Sequence, residues 1–426
     1  MSLDFSYAEH RGNMLRLITL CIAALVVTSC SDERRDQLSG ATPQPESPVA
    51  VAESGPPAAG SQSVDLGLSL LRYVAREGGD QVLISPHGVA SALVLAWNGA
   101  AGETGKGIAS TIGLAAGSSF DQFNASWASL DRSLGSADGD LQLASASSVW
   151  VRDGIELVPS FSARSGQLHA TVQALDFAAA DAPETINAWV KSNTGGKIDS
   201  IIAGAIPAAA QLYLINALYF KGAWTEPFKE EATRPREFRP AGEPARQVKM
   251  MERLASWGYH KGDIEVVRMP YGKGRFAMYV VLPPDGGLDK WLEGLDGEAW
   301  LAVVNSLSMK EGTVVLPRFR VVTSTKLKPA LSALGMAAAF SDAADFSGMT
   351  TGSLSISEVV HKTFIEVDEK GSEAAAATGI EMATTSVELD PPFEFVADRP
   401  FFYAIRDDQT GALLFVGIIR SLPESL

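Results

Sequence analysis

Residues 369–380 read Glu369-Lys370-Gly371-Ser372-Glu373-Ala374-Ala375-Ala376-Ala377-Thr378-Gly379-Ile380, and the reading of this stretch decides what the chain is. Taken alone, a run of alanines favours a solvated helix. Three features work against a helix. Gly371 and Gly379 bracket the run, and apart from Glu373 its side chains are small. It also follows a strand-like stretch, His361-Lys362-Thr363-Phe364-Ile365-Glu366-Val367, with no turn signal between them.

Outward from this segment the chain mixes helices and strands. Ser85-Pro86 supplies an N-cap and a first-turn proline, and Val89, Ala92, Leu93, Ala96 and Trp97 fall at helical spacing, which predicts an amphipathic helix over 86–98. Residues 99–107, with Gly99, Gly105, Lys106 and Gly107, superficially suggest a phosphate-binding loop, but that motif needs four residues between its glycines and Ser or Thr after Lys. The expectation is a turn between helices. Residues 141–151 and 212–220 read as strands. The second is apolar on both alternating faces except for Asn216, the pattern of a strand covered on both sides. A helix is expected over 183–194 with Ile186, Trp189 and Val190 inward, a strand over 275–282, and a helix over 326–336 with Gly335 near its end. Residues 401–406 and 412–419 form a C-terminal hairpin. Without a regular βαβ alternation this is an α+β pattern.

Composition sets bounds. The chain has 426 residues, 46% hydrophobic and 20% charged, with a formal net charge of −15. This is ordinary globular composition. The acidic balance argues against nucleic acid as a partner, because phosphate binding needs clustered Lys and Arg. The only cysteines are Cys21 and Cys30, so nothing downstream can form a disulfide, a zinc finger or a thiol nucleophile. The histidines His10, His87, His169, His260 and His361 show no short metal-ligand spacing. No Gly-x-Ser-x-Gly elbow or His-Glu-x-x-His motif occurs. The sequence supports neither an enzyme nor a cofactor.

The N-terminal 30 residues read as an address. Arg16 precedes an apolar run from Leu17 to Val27, too short to span a bilayer but suited to an export signal. Val27-Thr28-Ser29-Cys30 resembles a bacterial lipobox, from which Cys30 is expected to be a lipid anchor, Met14 the start and 1–29 a signal peptide. Residues 31–62 are rich in Pro, Ser, Ala and Gly and contain no aromatic residue, so they are expected to be a disordered tether. The folded domain is expected over 63–426. The resulting location is the bacterial cell envelope, at the outer membrane or cell surface, or secretion.

The 369–378 segment resembles the hinge of the reactive-centre loop in the serpins, the serine protease inhibitor family. Further stretches resemble the same family in the right order: Ile84-Ser85-Pro86, Asn216 to Trp224, Val359 to Thr363, Asp398 to Tyr403 and Gly411 to Gly417. The resemblance implies eight or nine helices around three β-sheets, with an exposed reactive-centre loop and no cofactor. It implies a suicide-substrate inhibitor of a serine endopeptidase. The protease cuts the loop, and the loop inserts into a sheet before the acyl-enzyme is hydrolysed.

The hinge residues are then Glu369, Gly371, Ser372, Ala374, Ala375, Ala376, Ala377 and Thr378. An inserted strand must bury every second side chain, and Ser372, Ala374, Ala376 and Thr378 form one small, uncharged face. Counting along the loop as in the family places the reactive bond at Thr385-Ser386, with Met382, Val387 and Leu389 as alternatives. A small residue there points to an elastase-like or subtilisin-like protease. Ser85, Asn216 and His361 resemble the family's shutter, where Gly88 replaces a frequent serine and a hydrogen bond is expected to be missing. Trp224 resembles the breach tryptophan. A monomer is expected, metastable and polymerising on heating through its open sheet. The competing reading is a non-inhibitory serpin acting as a binding or carrier module.

Overall fold

The computed structural model describes residues 59–115, 117–135, 141–372 and 391–424, all within the unit Ser54–Leu426. The strands are β1 (Gln81–Ile84), β2 (Leu141–Arg152), β3 (Thr171–Leu175), β4 (Leu212–Ala223), β5 (Arg234–Phe238), β6 (Arg246–Lys261), β7 (Glu265–Tyr271), β8 (Phe276–Leu282), β9 (Ser308–Pro317), β10 (Phe319–Lys326), β11 (Glu358–Val367), β12 (Gly371–Ser372), β13 (Phe393–Val396), β14 (Phe401–Asp407) and β15 (Leu413–Ile419). The first helices are α1 (Ala59–Gln62), α2 (Val64–Arg76), α3 (Pro86–Trp97), α4 (Gly102–Thr111) and α5 (Phe120–Gly135).

One sheet has the order β10-β11-β12-β4-β2-β3. The other strands form a nine-stranded sheet, in which β5 branches from β6. The α+β fold is the one expected. Three separate sheets were expected, and the described strands form two hydrogen-bonded sets because β6 is long and continuous. Its start pairs with β5, its middle with β9 and its end with β7.

β4 shows why its sequence is apolar on both faces. Leu214, Leu218 and Phe220 face the two larger cores, while Tyr213, Ile215, Ala217 and Tyr219 belong to a third. That third core is closed by Ile186 and Val190 of the helix Ala182–Asn193; Trp189 is only half-buried. α3 packs beneath the opposite face of the sheet, capped at Ser85, whose Oγ accepts the Gly88 amide at 3.0 Å. It is buried on every side except at Ser91 rather than amphipathic, because α2, α4, β2, β4 and β15 all pack on it.

Other expectations are corrected. Residues 102–107 are not a turn but the first part of α4, where Thr104, Gly105 and Ile108 are buried. The helix over 326–336 is one α turn, Lys328–Leu331, followed by a π turn, because Gly335 leaves the helical region at φ +109°. Helical structure is present before residue 63: α1 covers Ala59–Gln62, and Gly60 packs tightly on Ala412. No helix among the described residues is long and apolar enough to cross a membrane.

Candidate functional site: the opened end and the centre of the six-stranded sheet

β4 and β11 are parallel neighbours from the Tyr213–Glu358 pair to the Tyr219–Phe364 pair. Beyond that pair they part, and β12 stands between them. Ser372 faces Val367 of β11 on one side and Gly222 of β4 on the other, antiparallel to both.

The chain reaches that slot by a tight reversal. The Asp368 side chain accepts the amides of Lys370 at 2.8 Å and Gly371 at 3.1 Å, a local turn that an Asp readily makes. Gly371 has φ +152°, and a Cβ there would lie 2.0 Å from the Gly222 carbonyl oxygen, so only glycine fits. The expectation of no turn between Val367 and the loop is therefore wrong. The turn is carried by Asp368 and Gly371.

Contacts to Trp224, Tyr271 and Glu369 fix the reversal. The Trp224 amide donates to the Lys370 carbonyl and its indole Nε1 to the Asp368 carbonyl, both at 2.9 Å. Ser372 is fully buried, with its Oγ 2.7 Å from the Tyr271 hydroxyl, and Tyr271 stacks on Trp224 at 4.3 Å. Burial pushes the Tyr271 phenol far above its ordinary range, so it stays neutral. Glu369 is 3% exposed and accepts from Arg318 at 2.8 Å through Nε and 2.5 Å through Nη2, and from the Thr233 hydroxyl. Burial alone would raise its pKa. The Arg318 and Thr233 hydrogen bonds outweigh burial and hold the carboxyl below its ordinary value of 4.5.

At the centre of the sheet a second polar group lies buried. His361 Nε2 accepts the Ser85 amide at 2.9 Å, and its Nδ1 lies 2.9 Å from Asn216 Oδ1. Because Nε2 accepts, the ring proton sits on Nδ1 and is donated to Asn216. Asn216 Nδ2 in turn donates to Ser147 Oγ at 2.9 Å. Burial lowers the His361 pKa to about 3, so the ring is neutral at ordinary pH.

The profile of the Serpin (serine protease inhibitor) family matches residues 61–422. The leukocyte elastase inhibitor of Bos taurus is 35% identical over 378 residues, covering 84% of this chain and 97% of that protein. The chain belongs to the serpin family. Among solved structures, Serpin48 of the insect Tenebrio molitor superposes with a TM-score of 0.76 at 27% identity, covering 85% of this chain and 98% of its own. The thermophilic serpin Tengpin in its native state superposes at 0.79 with 25% identity, covering 88% and 97%. Members of the family are generally inhibitors of proteases rather than enzymes.

In this serpin the structure brings Ser85, Asn216 and His361 into one cluster and places Glu369, Gly371, Ser372 and Trp224 in another at the parted end of the same two strands. Ala374, Ala375, Ala376, Ala377, Thr378, Thr385, Ser386 and Cys30 lie outside the described residues. Gly88 does not leave the centre short of a partner. A Cβ there would lie 2.3 Å from Asn216 Oδ1, so the glycine lets α3 approach β4 closely, and Ser147 completes the network. Ser147, Tyr271, Thr233 and Arg318 were missed. Ser147 had a faint signal, a polar residue facing Asn216 in a neighbouring strand; the other three sit far from the hinge in sequence and carry no local signature.

Proposed function

We propose that this serpin is a suicide-substrate inhibitor of serine endopeptidases, acting by insertion of its cut loop between β4 and β11. The observation that carries this reading is β12: the first hinge residues already occupy the slot, in register with both strands. Continuing that antiparallel register by two, four and six residues sets Ala374 beside Ile365 and Phe220, Ala376 beside Thr363 and Leu218, and Thr378 beside His361 and Asn216. All of these positions share the inward face of Ser372, and each receives a small, uncharged side chain. Ala375 and Ala377 would meet Tyr219, Phe364 and Ala217 on the other face.

The driving force follows from pairing. Insertion replaces one parallel ladder by two antiparallel ladders, which are the more stable per residue and satisfy a whole new strand of amides. It also separates β4 from β11 by a further strand width of about 4.8 Å. The His361–Asn216 hydrogen bond, 2.9 Å long, cannot survive that separation. Opening the sheet centre is therefore the barrier, and it gives the uncut protein its metastable character. Inhibition requires crossing it faster than the acyl-enzyme hydrolyses.

The reactive bond in this account is Thr385-Ser386, and the target is elastase-like or subtilisin-like. There is no Lys or Arg between Gly371 and Asp398 for a trypsin-like enzyme to select. The N-terminal pattern ending at Cys30 supports export and lipid anchoring in a bacterial envelope. Mixing residues 31–426, with Cys30→Ser, with elastase, subtilisin, chymotrypsin and trypsin tests the proposal. An SDS-resistant adduct and a released fragment beginning at Ser386 are expected with the first two. Cleavage without any adduct, and without a rise in melting temperature of the cut chain, would favour a non-inhibitory role.

A further inference from the structure

The chain enters the folded domain at the end where the six-stranded sheet is opened. Gly60 of α1 packs on the β14–β15 turn: a Cβ there would lie 3.0 Å from the Thr410 carbonyl oxygen and 2.9 Å from Ala412 Cβ. Ser61 stands against Gly411 of the same turn. The turn is tightly built. The Gly411 amide donates to the Asp407 carbonyl at 2.8 Å. The buried Asp407 carboxylate accepts Arg275 Nε and Nη2, both at 2.8 Å, and the Thr410 hydroxyl at 2.6 Å. Phe276 pairs with Asp407 on one side and with Tyr271 on the other. Tyr271 in turn pairs with Trp224 and touches Ser372. Steps across neighbouring strands and the turn therefore set α1 within about 20 Å of Tyr271. The opposite end of β4, at Leu212, lies about 36 Å from Ala223.

We infer that the partner of this serpin is a serine protease held at the same membrane surface as the anchor, and that the point of chain entry aims the loop at it. The inference rests on the lipid anchor at Cys30 and on the loop as bait, both proposed above. Residues 31–58, 28 in all, join Cys30 to α1. A coil of that length reaches about 30 Å. Adding the step from α1 to the hinge keeps the root of the loop within roughly 50 Å of the bilayer. That height is about the diameter of a 250-residue protease domain resting on the same surface. Chain entry at the Leu212 end would lift the loop by about a further 36 Å. Two partners confined to one surface meet at a raised effective concentration only if their linkers span the gap between the reacting groups. Entry beside the opened end meets that condition, and it brings no such gain with a protease free in solution.

The test moves the anchor. Beyond Cys30 the chain has no cysteine, so residues 30–426 couple at one point to a maleimide lipid in phosphatidylcholine vesicles. The comparison is Cys30→Ser with Gly352→Cys, coupled through a spacer of matched reach, about 30 Å. Gly352 is exposed, has open space around its Cα, and belongs to the other end of the sheet, where the Ser357 amide donates to the Leu212 carbonyl. Subtilisin carrying a histidine tag is bound to a nickel-chelating lipid in the same vesicles, and the rate of loop cutting is read on gels. The chain anchored at Cys30 should be cut at least about tenfold faster than the chain anchored at residue 352. Free subtilisin should cut the two at equal rates. Equal rates on the vesicles, or faster cutting through the residue 352 anchor, would overturn the inference. Cutting needs no insertion, so a cut chain without an SDS-resistant adduct counts against the inhibitory reading and leaves this ratio intact. The mass of the chain recovered from a bacterial envelope reports lipidation of Cys30 separately.

Discussion

The two strands β4 and β11 meet in two ways along their length. From Tyr213–Glu358 to Tyr219–Phe364 they pair directly, stitched across the middle by His361 and Asn216. Beyond Phe364 they are parted by β12 and pinned by Trp224, Tyr271 and the Glu369–Arg318 pair. The same sheet is thus closed at its centre and open at its end. The difference lies in what fills the interstrand space. At the open end it is the chain's own backbone, turned by Asp368 and Gly371. At the centre it is a side-chain hydrogen bond between His361 and Asn216, which the proposed insertion would break. In the proposed mechanism the end is a starting point and the centre is a barrier.

The largest effect is expected from removing what pins the open end. Glu369→Lys sets a positive charge against Arg318 at a site 3% exposed. Breaking a fully buried pair costs about 3–5 kcal/mol, and the low end is expected here because the Arg318 side chain is 30% exposed. Urea denaturation should show most of that loss, with polymers appearing at lower temperature. An unchanged midpoint would mean that the end is held by Trp224 and Tyr271 alone.

Next comes the path between end and centre. In the inserted register Thr378 lies beside His361 and Asn216, so Thr378→Arg buries a charge against them. Raising the barrier by about 2.8 kcal/mol slows insertion a hundredfold. The variant should be cleaved as a substrate, as should Ala376→Glu. One-to-one trapping by either variant would contradict the register.

At the centre itself, Gly88→Ala should cost about 1–3 kcal/mol by overpacking, because the new methyl would meet Asn216 Oδ1. The expected readout is a lower unfolding midpoint, with faster insertion of the cut loop into a loosened centre.

The smallest contrast is in pH. His361 has a folded pKa of about 3 against an ordinary 6.5, so the unfolded chain binds the proton first. Its contribution is complete above 6.5 and shrinks as pH falls, by about 1.4 kcal/mol per unit while the gap lasts. Glu369 is shifted downward from 4.5, so its contribution is present above 4.5 and is lost only below that. Between about pH 6.5 and 5.5 the centre should weaken by about 1 kcal/mol while the end is unaffected. A His361→Gln variant should lose that slope.

The legible and illegible parts of the molecule divide along the same physical line. β4 announced its burial because covering both faces forces apolar residues from Leu212 to Phe220, except at Asn216. Ser85 and Pro86 announced the start of α3. Gly371 was visible as the glycine that opens the segment after β11. What stayed hidden was supplied at long range: Arg318 reaches Glu369 across 51 residues and Tyr271 reaches Ser372 across 101. Such partners obey no sequence period, since only the folded sheet brings them together. Gly88 was misread for a related reason. Its backbone hydrogen bond and its contact with Asn216 are properties of packing, and a comparison of side chains counts only what is missing.

The most direct test of the central claim uses the absence of cysteine beyond Cys30. In a Cys30→Ser background, Ala217→Cys and Ala377→Cys are combined. In the inserted register these positions are directly opposed on neighbouring antiparallel strands, about 4.5–5.5 Å apart at Cα, within disulfide range. The account predicts a disulfide after the loop is cut and none before. An Ala376→Cys partner, which points to the other face, should not form one. No bond in the cut chain, or a bond from residue 376 instead, would contradict insertion between β4 and β11.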